Sequence, residues 1–215
     1  MEHLPEEKEI SSYIIQSSED EIKRIAMELH EGVGQTLYSV YTGLQFLEAK
    51  TADNDLKKYI HEMGEILEKT IQEIRCLSVE LHPPTLATLG FIPALKSYIQ
   101  LYTLTYGILV EIAEEGQEIP LPENHRIALF RACQEALGNI AKYADTLQAN
   151  IQLVWKNDSF TVKIQDEGMG FDVEKNQNNP GLAAMIKRMH LVGGDCMISS
   201  TIGKGTTITF VLPLT

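Results

Sequence analysis

The 215-residue chain contains no uninterrupted apolar stretch of the roughly 18–20 residues that a membrane-spanning helix needs. Its opening residues, MEHLPEEKEI, are acidic and polar, which argues against a secretory signal there. Together these absences predict a soluble, cytoplasmic chain, attached to a membrane only if another portion of a longer protein anchors it. Cysteine is scarce: Cys76, Cys133 and Cys196 are odd in number and far apart. Neither a disulfide framework nor a paired-cysteine zinc site fits that spacing, so buried packing in a reducing compartment is expected. Basic residues are also few, with 18 Lys and Arg against 30 Asp and Glu, a net charge of −12. A phosphate-rich duplex is repelled by such a surface, which argues against direct nucleic-acid binding. A nucleotide is a different matter, because a few local donors and a metal suffice to hold it.

The composition, 44% apolar and 22% charged, suits one large or two modest globular domains. No internal repeat is evident. Residues 19–49 carry Ile22, Ile25, Leu29, Val33, Leu37, Val40, Leu44 and Leu47 at steps that mark one face of a helix. A polar break at Ala52–Asp55 precedes a second such pattern from Leu56 to Leu81, which Pro83 and Pro84 terminate. Two long amphipathic helices with a short connection predict an antiparallel hairpin. Each helix has one neighbour in such a hairpin, too few to bury the stripe. Pairing into a four-helix bundle, a homodimer through residues 19–82, follows.

The pattern changes after Pro84. Helices are expected at 91–105, 123–144 and 182–192. Strands are expected at 108–112, 150–155 and 160–164, with a last hairpin through Gly203 and Gly205 into Leu212. That alternation indicates an α+β sandwich. The expected division is a tail or linker over 1–18, a helical domain over 19–85 and an α/β domain over 86–215.

Three groups of residues carry chemistry. His30 lies at the edge of the first apolar stripe with Glu31 beside it, and Gln35 shares a face with Glu31 in α-helical geometry. Gly32 and Gly34 flank them, and each costs a helix about 1 kcal/mol, a cost that close approach of another molecule would explain. A neutral imidazole is a nucleophile, and a neighbouring carboxylate can take its proton. An exposed histidine beside a solvated glutamate is the plainer account. The second group is Arg131, Glu135, Asn139 and Lys142 on one helical face. Asn139 can give an oxygen to Mg²⁺, Lys142 can meet phosphate, and Glu135 can hold a metal-bound water; a solvated polar face is the alternative. The third group is Asp166, Gly168 and Gly170 at a strand end, then a polar stretch over 172–180 suited to a mobile lid. Gly181 and Leu182 open a helix whose amides can cradle phosphate. Gly203, Gly205 and Thr206 form either a plain hairpin loop or pocket lining. The remaining histidines read as surface or packing residues.

The order of these signals resembles the catalytic core of two-component sensor histidine kinases, in the subgroup that pairs with LuxR-type response regulators. Arg24 to Gln35 resembles that subgroup's phosphoacceptor box, and Glu73 to Gly90 its second helix and exit. Glu135 to Lys142 resembles the N box of the Bergerat-fold (GHKL) ATPases, and Asp166–Gly170, Gly181–Leu182 and Gly203–Thr206 resemble the later nucleotide boxes. The resemblance covers roughly residues 20–213. It implies ATP and Mg²⁺ as cofactors, His30 as phosphoacceptor and Glu31 as its acid/base partner. It implies that Gln35 orients water for dephosphorylation of a response regulator. It places Asn139 on Mg²⁺ with Glu135 in support, Lys142 on phosphate and Asp166 on adenine, with Gly168 and Gly170 shaping the pocket. The partner implied is the receiver domain of a response regulator with a LuxR-type output. The competing readings are a Bergerat-type ATP-binding scaffold without phosphotransfer and, with least support, a DNA-binding module.

Overall fold

The computed structural model describes residues 4–176 and 179–214, which divide into two compact units, one ending at Pro84 and the other beginning at Thr85. Among the described residues no helix is long and apolar enough to cross a membrane.

The first unit is helical. Helix α1 spans Leu4–Met27 and α2 spans Gly34–Lys50, joined without a break by a π-helical segment, Glu28–Val33. The helix thus begins before residue 19, where the apolar periodicity first becomes regular; residues 1–3 of the expected tail lie outside the described residues. Helix α3 spans Asn54–Leu81. Asp53 caps it, accepting the Asp55 and Leu56 amides at 2.9 and 3.1 Å, a cap worth about 1 kcal/mol. The helix stops at His82, whose extended backbone leads into the two prolines. Contacts between α1–α2 and α3 run in opposite chain directions: Ser78 meets Ala26, Tyr41 meets Glu68, and Glu48 meets His61. The hairpin is therefore antiparallel. Within one chain its apolar stripe is only partly covered. Ala26, Ile60 and Ile71 are buried, whereas Val40, Leu47, Tyr59 and Ile66 are each more than half exposed.

A short helix that periodicity does not announce, α4 (Pro84–Thr88), starts at the last residue of the first unit and runs into the second, where α5 (Phe91–Tyr106) follows. Gly107 ends α5 in the left-handed region at φ 71°, a conformation that favours glycine. Strand β1 (Leu109–Glu115) follows, then α6 (Glu123–Asn139) with a π-helical extension, Ile140–Ala144. Strands β2 (Gln148–Trp155) and β3 (Ser159–Asp166) form a hairpin. Helix α7 (Pro180–Leu191) precedes β4 (Asp195–Ser200) and β5 (Thr206–Pro213). The sheet order is β1-β2-β3-β5-β4. All pairs are antiparallel except β1 with β2, which are parallel because α6 crosses between them.

One face of this sheet is dry. Ile151, Leu153, Phe160, Val162, Ile164, Ile208, Phe210 and Leu212 are buried in alternation with less buried, mostly polar neighbours. Leu95 and Tyr98 of α5, Phe130, Cys133 and Leu137 of α6, and Met185 and Met189 of α7 are buried with them. Phe91 meets Phe160 edge-on at 5.8 Å, and Tyr98 meets Phe130 at 5.7 Å. The Tyr102 hydroxyl, buried between helices, donates to the Leu137 carbonyl at 2.9 Å and so avoids the cost of an unpaired polar group. Cys133 is fully buried, as expected, and Cys76 and Cys196 are partly exposed; all three are free thiols.

Candidate functional site

In the second unit a cavity of about 670 Å³ opens between the end of α6, the ends of β3 and β5, and the start of α7. Asn139, Lys142, Asp166, Gly170, Leu182 and Thr206 line it, so six of the sequence candidates converge on one space. They come from residues more than sixty positions apart in the chain. The sheet register brings Asp166 and Thr206 together as direct partners on β3 and β5.

The cavity depends on an irregular helix end. Helix α6 carries Asn139 as its last α-helical residue, after which the turn widens into the π segment. A wider turn re-aims the side chains that follow, and such insertions concentrate at functional sites. Lys142, Tyr143 and Asp145 consequently reach the cavity, with Asp145 in the left-handed region at φ 52°. The Ala144 carbonyl, freed at the widened end, accepts the Met169 amide at 2.7 Å. The Met169 carbonyl in turn accepts the Gly203 amide at 2.6 Å. One residue, Met169, thus ties three segments together.

Four of the predicted glycines act by what they lack. A Cβ on Gly168 would overlap the Ala144 carbonyl, on Gly170 the Thr201 carbonyl, and on Gly205 the Asp166 carbonyl. At Gly181 it would overlap the Glu135 carboxylate, so Glu135 packs against the start of α7, beside the cavity-lining Asn179 and Leu182. Gly170 and Gly205 also have positive φ, 58° and 78°. Gly203 has φ 76° and open space around it, so its role is the turn itself.

Asp166 is 4% exposed. Burial pushes its carboxyl above the usual aspartate range, and the backbone amides of Gly168 and Thr206 pull it back in part. The Gly168 amide sits 2.9 Å from Oδ1. Asn139 presents a buried Nδ2 that has no hydrogen-bond partner. Buried amides are nearly always paired, so this orphan marks a place where a ligand completes the bonding.

Helix α7 starts earlier than periodicity suggests. Asn179 caps it, accepting the Gly181 and Leu182 amides at 2.9 and 3.3 Å, with Pro180 at the first turn. Those two amides, expected to be open to phosphate, are engaged by the cap. Asparagine immediately before proline is the signal that identifies this helix start. Of the stretch expected to be a lid, Asp172–Asn176 folds back on itself through the Asp172 carboxylate and carbonyl, and residues 177 and 178 lie outside the described residues. Tyr143, Met169, Asn176 and Asn179 also line the cavity, the last three from within the glycine motif and the polar stretch over 172–180, and so do Asp145 and Phe171, which nothing local in the sequence signals.

His30, Glu31 and Gln35 belong to the other unit, and all are exposed on the helical hairpin. His30 and Glu31 sit inside the π segment, closed by the Gly34 amide on the Leu29 carbonyl. Five-residue hydrogen bonding turns the chain by less than 100° per residue, so the shared face of Glu31 and Gln35 expected for an α-helix does not carry over unchanged. Gly34 is buried, its missing Cβ being 3.4 Å from the Leu29 carbonyl, and Gly32 is exposed.

Comparison with known proteins agrees with this two-unit layout. A family model described as histidine kinase matches residues 21–86. A second, described as histidine kinase-, DNA gyrase B- and HSP90-like ATPase, matches residues 124–215. The signal transduction histidine-protein kinase/phosphatase DegS of Brevibacillus brevis is 32% identical over 220 residues, covering 100% of this chain and 57% of its own length. The oxygen sensor histidine kinase NreB of Staphylococcus carnosus is 32% identical over 206 residues, covering 94% of this chain and 58% of its own. The chain thus spans well under two thirds of these relatives. Among solved structures, the histidine kinase domain of the blue-light activated histidine kinase from Erythrobacter litoralis matches with TM-score 0.51 and 14% identity, over 82% of this chain and 96% of that one. At that identity the likeness speaks for the fold alone.

Proposed function

Since the chain belongs to the histidine kinase family, we propose that it binds ATP with Mg²⁺ in its second unit and transfers the γ-phosphate to His30. The observation that carries this reading is the cavity itself, where a buried acceptor at Asp166 and an unpartnered amide at Asn139 face the same space.

The residues present fit the nucleotide. Asp166 accepts from the amino group of adenine, with Ile164 and Ile208 as apolar wall, and Leu182 closes one side. Lys142, exposed at the rim, is placed for phosphate oxygens. Gly168, Gly170 and Gly205 keep the wall thin, while Gly181, Gly203 and Thr206 hold the two turns beside it. Among the described residues no cluster of three or more His, Cys, Asp and Glu side chains could hold a metal ion. Mg²⁺ here would be held by Asn139 and phosphate oxygens, with Glu135 supporting its water shell. When bound, the metal neutralises charge on the phosphates.

A ring nitrogen of His30 attacks the γ-phosphorus. A P–N bond forms, the bond to the bridging oxygen breaks, ADP leaves, and Glu31 takes the ring proton. Positioning and charge neutralisation do most of this work. The phosphoryl group then passes to an aspartate of a response regulator receiver domain, one with a LuxR-type DNA-binding output. Gln35 orients a water that hydrolyses the regulator's aspartyl phosphate to free aspartate and inorganic phosphate, the phosphatase function. Residues 19–85 serve as the dimerisation and phosphotransfer domain and 86–215 as the catalytic domain. The exposed apolar residues Val40, Leu47, Tyr59 and Ile66 support a homodimeric four-helix bundle.

Phosphate transfer from γ-labelled ATP with Mg²⁺, in the wild type and His30→Ala, tests the reading. Acid-labile, alkali-stable label that disappears in His30→Ala is expected. ATP binding without label would leave a nucleotide-binding scaffold, and label surviving in His30→Ala would place the phosphoacceptor elsewhere.

A further inference from the structure

Each π segment begins just past a helix carbonyl that a hydroxyl on a neighbouring helix has claimed. In the first unit Ser78 Oγ of α3 donates to the Ala26 carbonyl at 2.9 Å, two residues before the segment Glu28–Val33. In the second unit the Tyr102 hydroxyl of α5 donates to the Leu137 carbonyl at 2.9 Å, three residues before the segment Ile140–Ala144. The direction of each bond is fixed, because a carbonyl only accepts.

At Leu137 the consequence reaches the cavity. An α-helix brings the amide four residues on, here that of Ala141, to each carbonyl oxygen. The Leu137 oxygen has two lone pairs, and it receives both the Ile140 amide and the Tyr102 proton. The Tyr102 bond therefore competes with the one that would continue the α-helix. Tyr102 is buried, its ring packed on Tyr106 at 5.0 Å and Tyr98 at 6.3 Å, so the hydroxyl is held in place. At the other end of the segment the Ala144 carbonyl is held by the Met169 amide at 2.7 Å. The turn between these two anchors carries Ala141, Lys142 and Tyr143, all of which line the cavity, whereas Tyr102 and Leu137 do not. Widening that turn changes the direction of Lys142 about the helix axis relative to Asn139.

We propose that Tyr102 is a positioning residue for the phosphate end of the site: by occupying the Leu137 carbonyl from outside the cavity, it holds the wide turn that aims Lys142 at the nucleotide phosphates. The inference rests on the reading of the cavity as a nucleotide site.

Equilibrium binding of ATP with Mg²⁺, and of adenosine, to the wild type, Tyr102→Phe, Lys142→Met and the double variant tests it. Tyr102→Phe keeps the ring and removes only the donor. Its ATP affinity should fall by about three- to tenfold, the scale of one hydrogen bond. Adenosine, which has no phosphate, should bind within about twofold of wild type. In the double variant the loss should not exceed that of Lys142→Met alone, because the lysine that Tyr102 aims is gone. Amide exchange gives a readout opposite in sign to mere destabilisation: in Tyr102→Phe the Ala141 amide gains the Leu137 oxygen and should exchange more slowly than in wild type. Tyr106→Phe, one turn along α5 and partly exposed, is the control and should change neither binding nor exchange. If Tyr102→Phe does not fold, Tyr102→Met, which fills the gap flexibly without a donor, takes its place. Unchanged ATP affinity, an equal loss for ATP and adenosine, additive losses in the double variant, or faster Ala141 exchange each overturns the role of Tyr102 while leaving the nucleotide site standing. Wild-type binding of neither ligand overturns the site as well.

Discussion

Ser78 Oγ donates a hydrogen bond of 2.9 Å to the carbonyl oxygen of Ala26, joining α3 to α1 across 52 residues of sequence. Both residues are fully buried. The bond lies one turn before His30, where α-helical spacing gives way to the π segment. Ser78→Ala leaves the Ala26 carbonyl buried without that partner, at a cost of about 1–3 kcal/mol. Thermal unfolding is expected to shift down accordingly, and amide exchange across 28–34 to accelerate. Unchanged exchange there would show that the π segment holds itself.

Gly205→Ala forces a side chain into the Asp166 carbonyl at a positive φ. Nucleotide affinity is expected to fall by at least about tenfold, because a few tenths of an ångström at this wall displace the carboxylate that reads the base. Gly138→Ala, on the same helix as Asn139 but with open space around its missing Cβ, is the control and should bind normally. Titration with a fluorescent ATP analogue measures both.

Asp166 should oppose stability at neutral pH. Its folded pKa lies above the ordinary value of 3.8 because burial disfavours the charge. The folded state therefore holds the proton more tightly than the unfolded chain, and stability declines as pH rises from below 3.8 through the raised folded value. Asp166→Asn removes the buried charge. It is expected to unfold at a higher urea concentration than wild type at pH 7, with the gap closing near pH 3.5, while losing nucleotide affinity. A wild type more stable than the variant at pH 7 would mean that the Gly168 and Thr206 amide bonds outweigh the burial cost.

Leu47→Glu and Ile66→Glu each place a charge on an apolar residue that is more than half exposed in the single chain. A charge is well tolerated on a free surface and costly inside a helix bundle. Light scattering is expected to report loss of the dimer with helix content retained. A variant that keeps the wild-type mass would remove that face from the interface.

The helices and strands were legible because burial imposes its period on the chain. The alternation through Phe160, Val162 and Ile164 follows directly from one wet and one dry face, and the stripe from Ile22 to Leu47 keeps helical spacing although none of its residues is buried within one chain. The glycines at 168, 170, 181 and 205 were legible as positions of close approach and Gly203 as a turn, because few other residues permit such turns and approaches. The short helix α4 was not legible: Pro83 and Pro84 end α3, and the Thr85–Thr88 turn that follows has too few residues to establish a period.

What the sequence by itself determined is the inventory: two units of different character, an acceptor at Asp166, an amide at Asn139, a cation at Lys142 and a histidine on a helix edge. What only the tertiary structure decided is how those groups are aimed. Both π segments, at Glu28–Val33 and Ile140–Ala144, change helical phase by one residue, and a single-residue change of phase leaves the apolar pattern almost intact. The parallel pairing of β1 with β2 depends on α6 crossing between them, and the meeting of Asp166 with Thr206 depends on sheet register. Ser200 gathers the Phe171 amide, the Gly205 carbonyl and the Thr206 hydroxyl from residues up to 29 positions away. Such long-range hydrogen bonds leave no local periodicity, so only the folded chain reveals them.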